Sequence, residues 1–319
     1  MAFTTDLGNN VYQIDLVSAD SLYRATGYLI KEEKIILIET GASPSNVVIQ
    51  QALKELDITL EMIDLVAVTH IHLDHSGGAG LLMSQCPNAK LLVHEKGKKH
   101  LVDPEKLIAG ARVVYGDRFD EMFDPICPIP EDRVEIVKDK EEIDLGNNRS
   151  LTFLDTPGHA FHHLAIYDPK SNGLFSGDSA GIFFHRLFRD HKIPFCLPVT
   201  APTQFVPDIM EKTLRQLIDL SPRRIYFTHF GVCECPEEIL ELAIQWTQFF
   251  GKDCVDHYHQ HQSAELLSSF ILNRIQNELN AKGAPDDFPE SSFFAGDVAL
   301  NVQGIIAYVE KMKAKDSNV

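Results

Sequence analysis

The densest chemistry in the chain lies in Thr69-His70-Ile71-His72-Leu73-Asp74-His75-Ser76-Gly77-Gly78, where four side chains able to ligate a cation fall within six residues. The segment directly follows Leu65-Val66-Ala67-Val68-Thr69, a continuous apolar run of the kind that forms a buried strand. If that strand persists, alternation points His70 and His72 to one side, and a sharp turn can return Asp74 and His75 to the same spot. Neutral imidazoles with a carboxylate suit zinc, iron or manganese. Four such groups buried without a cation would be poorly satisfied, which argues against a merely solvated loop of histidines.

Further donors recur at matching places downstream. His159 follows the predicted strand Leu151–Leu154, Asp178 follows Gly173–Phe175, and His229 follows Ile225–Thr228. Each is a ligand-type residue just past a strand with a glycine close by, and glycine lets backbone approach closely. Strand ends of an α/β sheet are where such residues can converge on one site. Weaker signals carry blander readings. His162 and His163, one turn beyond His159, are pocket-lining or supporting groups rather than ligands. His257, His259 and His261 would spread around a helix axis. Cys233 and Cys235 fall just after His229 without zinc-finger spacing, and Tyr226, His185 and Arg186 are candidate substrate contacts, Tyr226 more readily a core residue.

The elements that must position these residues alternate between strand and helix. Val11–Leu16, Thr26–Ile30 and Lys34–Thr40 read as a β-meander, followed by a helix over Val47–Leu56 and the strand that ends at Thr69. Ser76–Gly80 precedes a short helix, Ala89–His94 is a further strand, and residues 104–124 are mostly helical up to the Pro-rich loop 124–130. Strands are expected again at Arg133–Val137, Leu151–Leu154, Leu164–Tyr167 and Gly173–Phe175. A second Pro-punctuated loop over 194–207 leads to a helix at Asp208–Leu220 and a strand at Arg224–Thr228. From Pro236 the texture changes to three helical apolar stripes, with a break at Gly283–Pro289 before the last. This order indicates α/β architecture, with domain boundaries expected at 1–235 and 236–319.

Composition narrows the function classes. The chain has 319 residues, 44% hydrophobic and 24% charged, which is ordinary globular usage and enough for a sizeable core. A net charge of −17 argues against a nucleic-acid surface or an anionic membrane as partner. The six cysteines read as reduced thiols. No secretory signal is evident after Met1, and no apolar run approaches the roughly 20 residues that span a bilayer, so a cytoplasmic protein is expected.

The motif His-x-His-x-Asp-His and the later His, Asp and His, in this order over about residues 10–235, resemble the metallo-β-lactamase superfamily. Thr-His-Ile-His-Leu-Asp-His-Ser-Gly-Gly and Thr-Pro-Gly-His resemble its glyoxalase-II-like branch, and Pro128–Val134 and Phe161–Leu164 are similar to stand-alone members of that branch. The resemblance implies a four-layer αββα sandwich with metals at one edge of the sheets, here with a helical C-terminal extension. It implies two divalent transition metal ions, zinc first, iron or manganese as alternatives. His70, His72 and His159 would hold the first, Asp74, His75 and His229 the second, and Asp178 would bridge them. Two cations about 3.5–4 Å apart would share a hydroxide as nucleophile, one would polarise the substrate carbonyl, and Asp74 would orient the nucleophile. Glu39 stands where many members carry Asp, a change that could retune the ligands it supports. His72, where the flavodiiron-type branch has a carboxylate, points away from that branch.

The expected activity is hydrolysis of a small-molecule thioester or ester. The alternatives are an iron-dependent persulfide dioxygenase using His70, His159 and Asp178, an acyl-homoserine-lactone-type lactonase, and, least of all, a non-enzymatic metal sensor. The C-terminal helices are expected either to cap the cleft or to form a homodimer surface.

Overall fold

The computed structural model describes residues 3–16, 23–202, 204–285 and 292–316. The expected break at 283–289 therefore lies largely outside the described residues. These residues group into two compact units, one from 1–156, 162–177 and 222–234, the other from 157–161, 178–221 and 235–319.

In the first unit, β1 (Thr4–Asp6), β2 (Val11–Asp15), β3 (Thr26–Lys31), β4 (Ile35–Ile38), β5 (Ile63–Ala67), β6 (Lys90–His94) and β7 (Val134–Val137) form one sheet in sequence order. It is antiparallel through β4 and parallel from β4 to β7. A second sheet holds β8 (Glu141–Asp144), β9 (Ser150–Asp155), β10 (Leu164–Asp168), β11 (Gly173–Phe183), β13 (Arg224–His229) and β14 (Gly231–Cys233).

The period of two sorts each strand's side chains onto two faces. Tyr28, Ile30, Ile36, Ile38, Leu65 and Ala67 pack with Leu151, Phe153, Leu164, Ile166, Phe175 and Tyr226 in the core shared by the two sheets. Their neighbours Leu29, Leu37, Val66, Leu91 and Val93 pack on the other face with Ile49 and Leu53 of α1 (Asn46–Glu55) and Leu82 and Met83 of α3 (Ala79–Gln85). Each fully buried aliphatic side chain contributes about 1.5–3 kcal/mol. Between these helices sits the one-turn α2 (Leu73–Ser76), and α4 (Glu95–Val102), α5 (Glu105–Tyr115) and α6 (Phe119–Phe123) follow β6.

Besides residues 157–161, the second unit takes in the far end of β11, which pairs with β12 (Cys196–Leu197) at Ile182↔Leu197. It contains α7 (His185–His191), α8 (Pro207–Asp219), α9 (Pro236–Gln248), α10 (Cys254–His261), α11 (Ala264–Ala281) and α12 (Ser292–Asp316), with a π-helical turn at Phe249–Asp253. Trp246 of α9 is buried among Phe195, Phe249 and Phe250, so the apolar stripe after residue 236 is core. The chain thus forms the expected sandwich of two sheets flanked by helices, extended by helices at its C-terminal end. Among the described residues, no helix is long and apolar enough to cross a membrane.

Two local expectations need correction. β5 stops at Ala67, so His70 and His72 sit on a bend rather than on alternating strand positions. β11 runs on to Phe183, so Asp178 lies within the strand and not beyond it.

Candidate metal centre

In the first unit the bend after β5 is tied at both ends. Thr69 donates its N–H to Glu39 Oε1 (3.1 Å) and accepts at its carbonyl from Leu164 N–H (2.7 Å). The chain then turns directly into α2, whose His75 carbonyl accepts from the N–H and hydroxyl of Thr40. Because α2 starts so abruptly, His75 folds back beside His70, with Asp74 next to it, without any need for strand alternation. His70 Nε2 and His72 Nδ1 are 2.8 Å apart, and the His70 and His75 rings lie 4.0 Å apart. β13 brings in His229, whose Nε2 is 3.2 Å from His75 Nε2.

The tautomers of this cluster are dictated by its neighbours. His229 Nδ1 is 2.7 Å from the Arg24 carbonyl, which can only accept, so the proton of the neutral ring sits on Nδ1. His75 Nδ1 faces the Glu39 carboxylate at 3.3 Å, an ion-pair contact that favours a proton on that nitrogen. The two Nε2 atoms face each other at hydrogen-bond distance, with Asp74 Oδ2 3.4 Å from one and 3.8 Å from the other. Asp74, His75 and His229 all offer ligand atoms within 4.8 Å of one another. Two imidazole nitrogens and a carboxylate oxygen converging at these distances are what a divalent cation takes as ligands. The donor set fits a metal.

The second unit repeats this logic. His159 Nδ1 donates to the Val199 carbonyl (2.8 Å), leaving a lone pair on Nε2, which is 3.4 Å from Asp178 Oδ2. Both residues are buried, at 2% and 3% exposure. Gly158 has φ +132°, and a Cβ there would lie 2.4 Å from Met210 Cα, so the turn that presents His159 requires glycine.

Of the expected ligands, the first unit brings together His70, His72, Asp74, His75 and His229, and the second brings together His159 and Asp178. His163 bonds Thr156 Oγ1 through Nδ1 (2.7 Å), and the His162 ring stacks over His70 at 6.0 Å, consistent with supporting and lining roles. Tyr226 is fully buried against Phe175 at 4.4 Å and is core. His257 and His261 do converge on one side of α10, with rings 4.5 Å apart, because they are four residues apart, while His259 is exposed. The carbonyls of Arg24 and Val199 were not anticipated: a backbone acceptor leaves no mark in residue type. His94 was also missed; its Nδ1 accepts from Lys96 N–H and its Nε2 faces Asp155 at 3.4 Å, and burial lowers its pKa.

Over 212 residues the chain is 32% identical to the metallo-beta-lactamase fold-containing protein ST1585 of Sulfurisphaera tokodaii, covering 65% of this chain and 73% of that one. The crystal structure of ST1585, from the same archaeon under the name Sulfolobus tokodaii, superposes with a TM-score of 0.66 at 25% identity, covering 93% of this chain and 98% of that one. The anaerobic nitric oxide reductase flavorubredoxin of Vibrio vulnificus is 26% identical over 248 residues, 74% of this chain, and the chain spans only 46% of that protein's length. Residues 23–229 match the family model of the metallo-beta-lactamase superfamily, and this chain belongs to that superfamily.

Proposed function

We propose that the chain is a binuclear metallohydrolase of the glyoxalase-II-like kind, acting on a small thioester or ester. The observation that carries this reading is the set of imidazole Nε2 atoms confronting Asp74 in one unit and Asp178 in the other, with the opposite nitrogens of His229 and His159 held by backbone carbonyls and that of His75 facing Glu39. His70, His72 and His159 would hold one cation, Asp74, His75 and His229 the other, and Asp178 would bridge them. When bound, such ions lower the pKa of a shared water toward neutrality and polarise a carbonyl. The chain's own residues supply orientation: Glu39 and the Arg24 and Val199 carbonyls fix three imidazoles, so little reorganisation is needed on metal entry. Asp74, one-third exposed at its side chain, would accept a hydrogen bond from the nucleophilic water. A thiolate leaving group needs little protonation, and this suits a site built from ligands rather than from acids.

A second reading is favoured by the similarity to flavorubredoxin, which would make the metals iron and the chemistry reductive. A neutral imidazole at His72, where that branch is expected to have a carboxylate, favours the hydrolytic reading, because hard anionic oxygen ligands suit oxidised iron better.

The test is metal content per chain in gently purified protein, followed by a panel of thioesters, esters and lactones. Two equivalents of zinc, or a mixture with iron or manganese, and turnover lowered at least about 100-fold by Asp74→Asn are expected. One iron with persulfide-dependent oxygen uptake would overturn the proposal. So would two irons with nitric oxide or oxygen reduction and no hydrolysis.

A further inference from the structure

The ring of His159 is oriented by a carbonyl in the segment between β12 and α8, which has little regular structure of its own to hold it in place. What holds that carbonyl is the C-terminal helix. Val199 C=O and Thr200 N–H belong to one peptide unit, and peptide units are planar and rigid. The carbonyl end accepts from His159 Nδ1, and the N–H end donates to Asn301 Oδ1 of α12 at 2.8 Å. The Thr200 hydroxyl adds a bond to the Asn301 carbonyl (2.9 Å). Thr200 and Asn301 are 0% and 1% exposed, so water does not substitute for these bonds. One turn further along α12, a Cβ on Gly304 would lie 2.1 Å from the Thr200 carbonyl oxygen and 2.7 Å from its carbon. The helix backbone is therefore seated directly against this peptide.

We propose that Asn301 and Gly304 make α12 a positioning element for His159, a role that rests on the reading of His159 as a metal ligand. A hydrogen bond donated by the N–H of an amide polarises the whole unit and strengthens its carbonyl as an acceptor. Asn301 thereby fixes both the place and the strength of the bond that aims His159 Nε2. The helix lies beyond the residues 23–229 that match the family, so this support is an addition by the C-terminal extension to the shared sandwich.

The experiment loads metal-free protein with cobalt(II) and follows stoichiometry, affinity and the visible ligand-field spectrum. Asn301→Ala is expected to weaken one of two cobalt equivalents by about tenfold or more and to alter its spectrum. Asn301→Asp retains the acceptor oxygen and is expected to restore most of the affinity. Val309→Ala, which trims a buried side chain of the same helix, is expected to lower the unfolding midpoint without changing cobalt binding. If Asn301→Ala does not fold, Asn301→Ser, with its acceptor drawn back from Thr200, is expected to show a smaller loss of the same kind. Wild-type cobalt binding in the alanine or serine variant overturns the proposal, as does equal weakening by Val309→Ala. His159→Ala separates the two levels of inference. If it keeps both equivalents, the ligand reading fails; if it loses one while the Asn301 variants lose none, only the positioning role fails.

Discussion

Glu39 shows how much of the centre depends on one side chain outside the ligand set. It is fully buried, with backbone at φ +67°, a conformation that a side-chain-bearing residue adopts rarely. One carboxylate oxygen takes the Thr69 N–H and the other faces His75 Nδ1, so the residue anchors the bend and favours a proton on Nδ1 of a proposed ligand. Glu39→Gln keeps the shape but not the chemistry. Its amide can still accept from Thr69, yet the NH2 then opposes the proton on His75 Nδ1. The ring relieves this by moving its proton to Nε2, the atom that a cation needs. The expected outcome is a 10–100-fold loss of affinity for one metal equivalent, with little change in thermal unfolding. Titration of metal-free protein checks this, and unchanged binding of both equivalents would show that Glu39 does not set the tautomer. The departure from Asp at this position was visible in the sequence; its two-handed role was not, since it depends on which way a left-handed residue turns its side chain.

At the scale of elements, the strands with clear apolar alternation and the histidine motif were legible, and the elements that were missed share a physical cause. β11 reads as ending at Phe175 because Ser176-Gly-Asp-Ser-Ala-Gly181 looks like a turn. Gly177 and Gly181, at φ +50° and +76°, instead let the strand bend and continue, and a Cβ on Gly177 would press within 2.7 Å of His163 Nε2 and Thr69 Oγ1. Helix α4 was hidden by Gly97, which sits there because Ile71 and Val93 methyls fill the space where a Cβ would be. β8 is a half-exposed edge strand, Glu-Glu-Ile-Asp, with almost no apolar pattern to read. Helix α7 also lacked a signal, and its first residue gives a pH prediction. Burial, then the nearby Arg189 and Arg186, depress the His185 pKa from its ordinary 6.5 to about 4. Between those values the unfolded chain binds a proton that the folded chain refuses. Stability from this group is therefore complete above pH 6.5 and falls as pH drops toward 4. Allowing for the solvent that reaches the ring, the loss is on the order of 1–2 kcal/mol. Urea unfolding of the wild type and His185→Gln at pH 7.5 and 4.5 should show the wild type losing that much more than the variant. Parallel losses would mean that other groups carry the acid sensitivity.

Across the molecule's first unit, stability and chemistry occupy opposite ends of the sheets. β4 and β5 run parallel with Ile35 beside Ile63, so the β3–β4 turn lies where β5 begins, while Glu39 and His70 lie beyond where it ends. At the turn end sits a buried ionic knot. Arg149 is 1% exposed and binds both carboxylate oxygens of Asp168, Glu32 Oε1 and the Asn9 carbonyl, joining turns from both sheets. Burial alone would raise the Glu32 pKa, but hydrogen bonds from Lys170, Asn147 and Arg149 hold it below the usual carboxylate range. A buried network of this kind gains little over a well-packed apolar core, yet removing one member strands the others. Arg149→Met should therefore cost about 3–5 kcal/mol in urea unfolding, because Asp168 is left buried without its cation. The double variant Arg149→Met/Asp168→Leu should recover part of that loss by removing the stranded charge. Neither change reaches the histidines, so metal stoichiometry per folded chain should stay at the wild-type value. If metal were lost in step with stability, the two ends would be coupled through the strands between them. If Arg149→Met cost less than about 1 kcal/mol, the knot would be no more than an exposed surface pair.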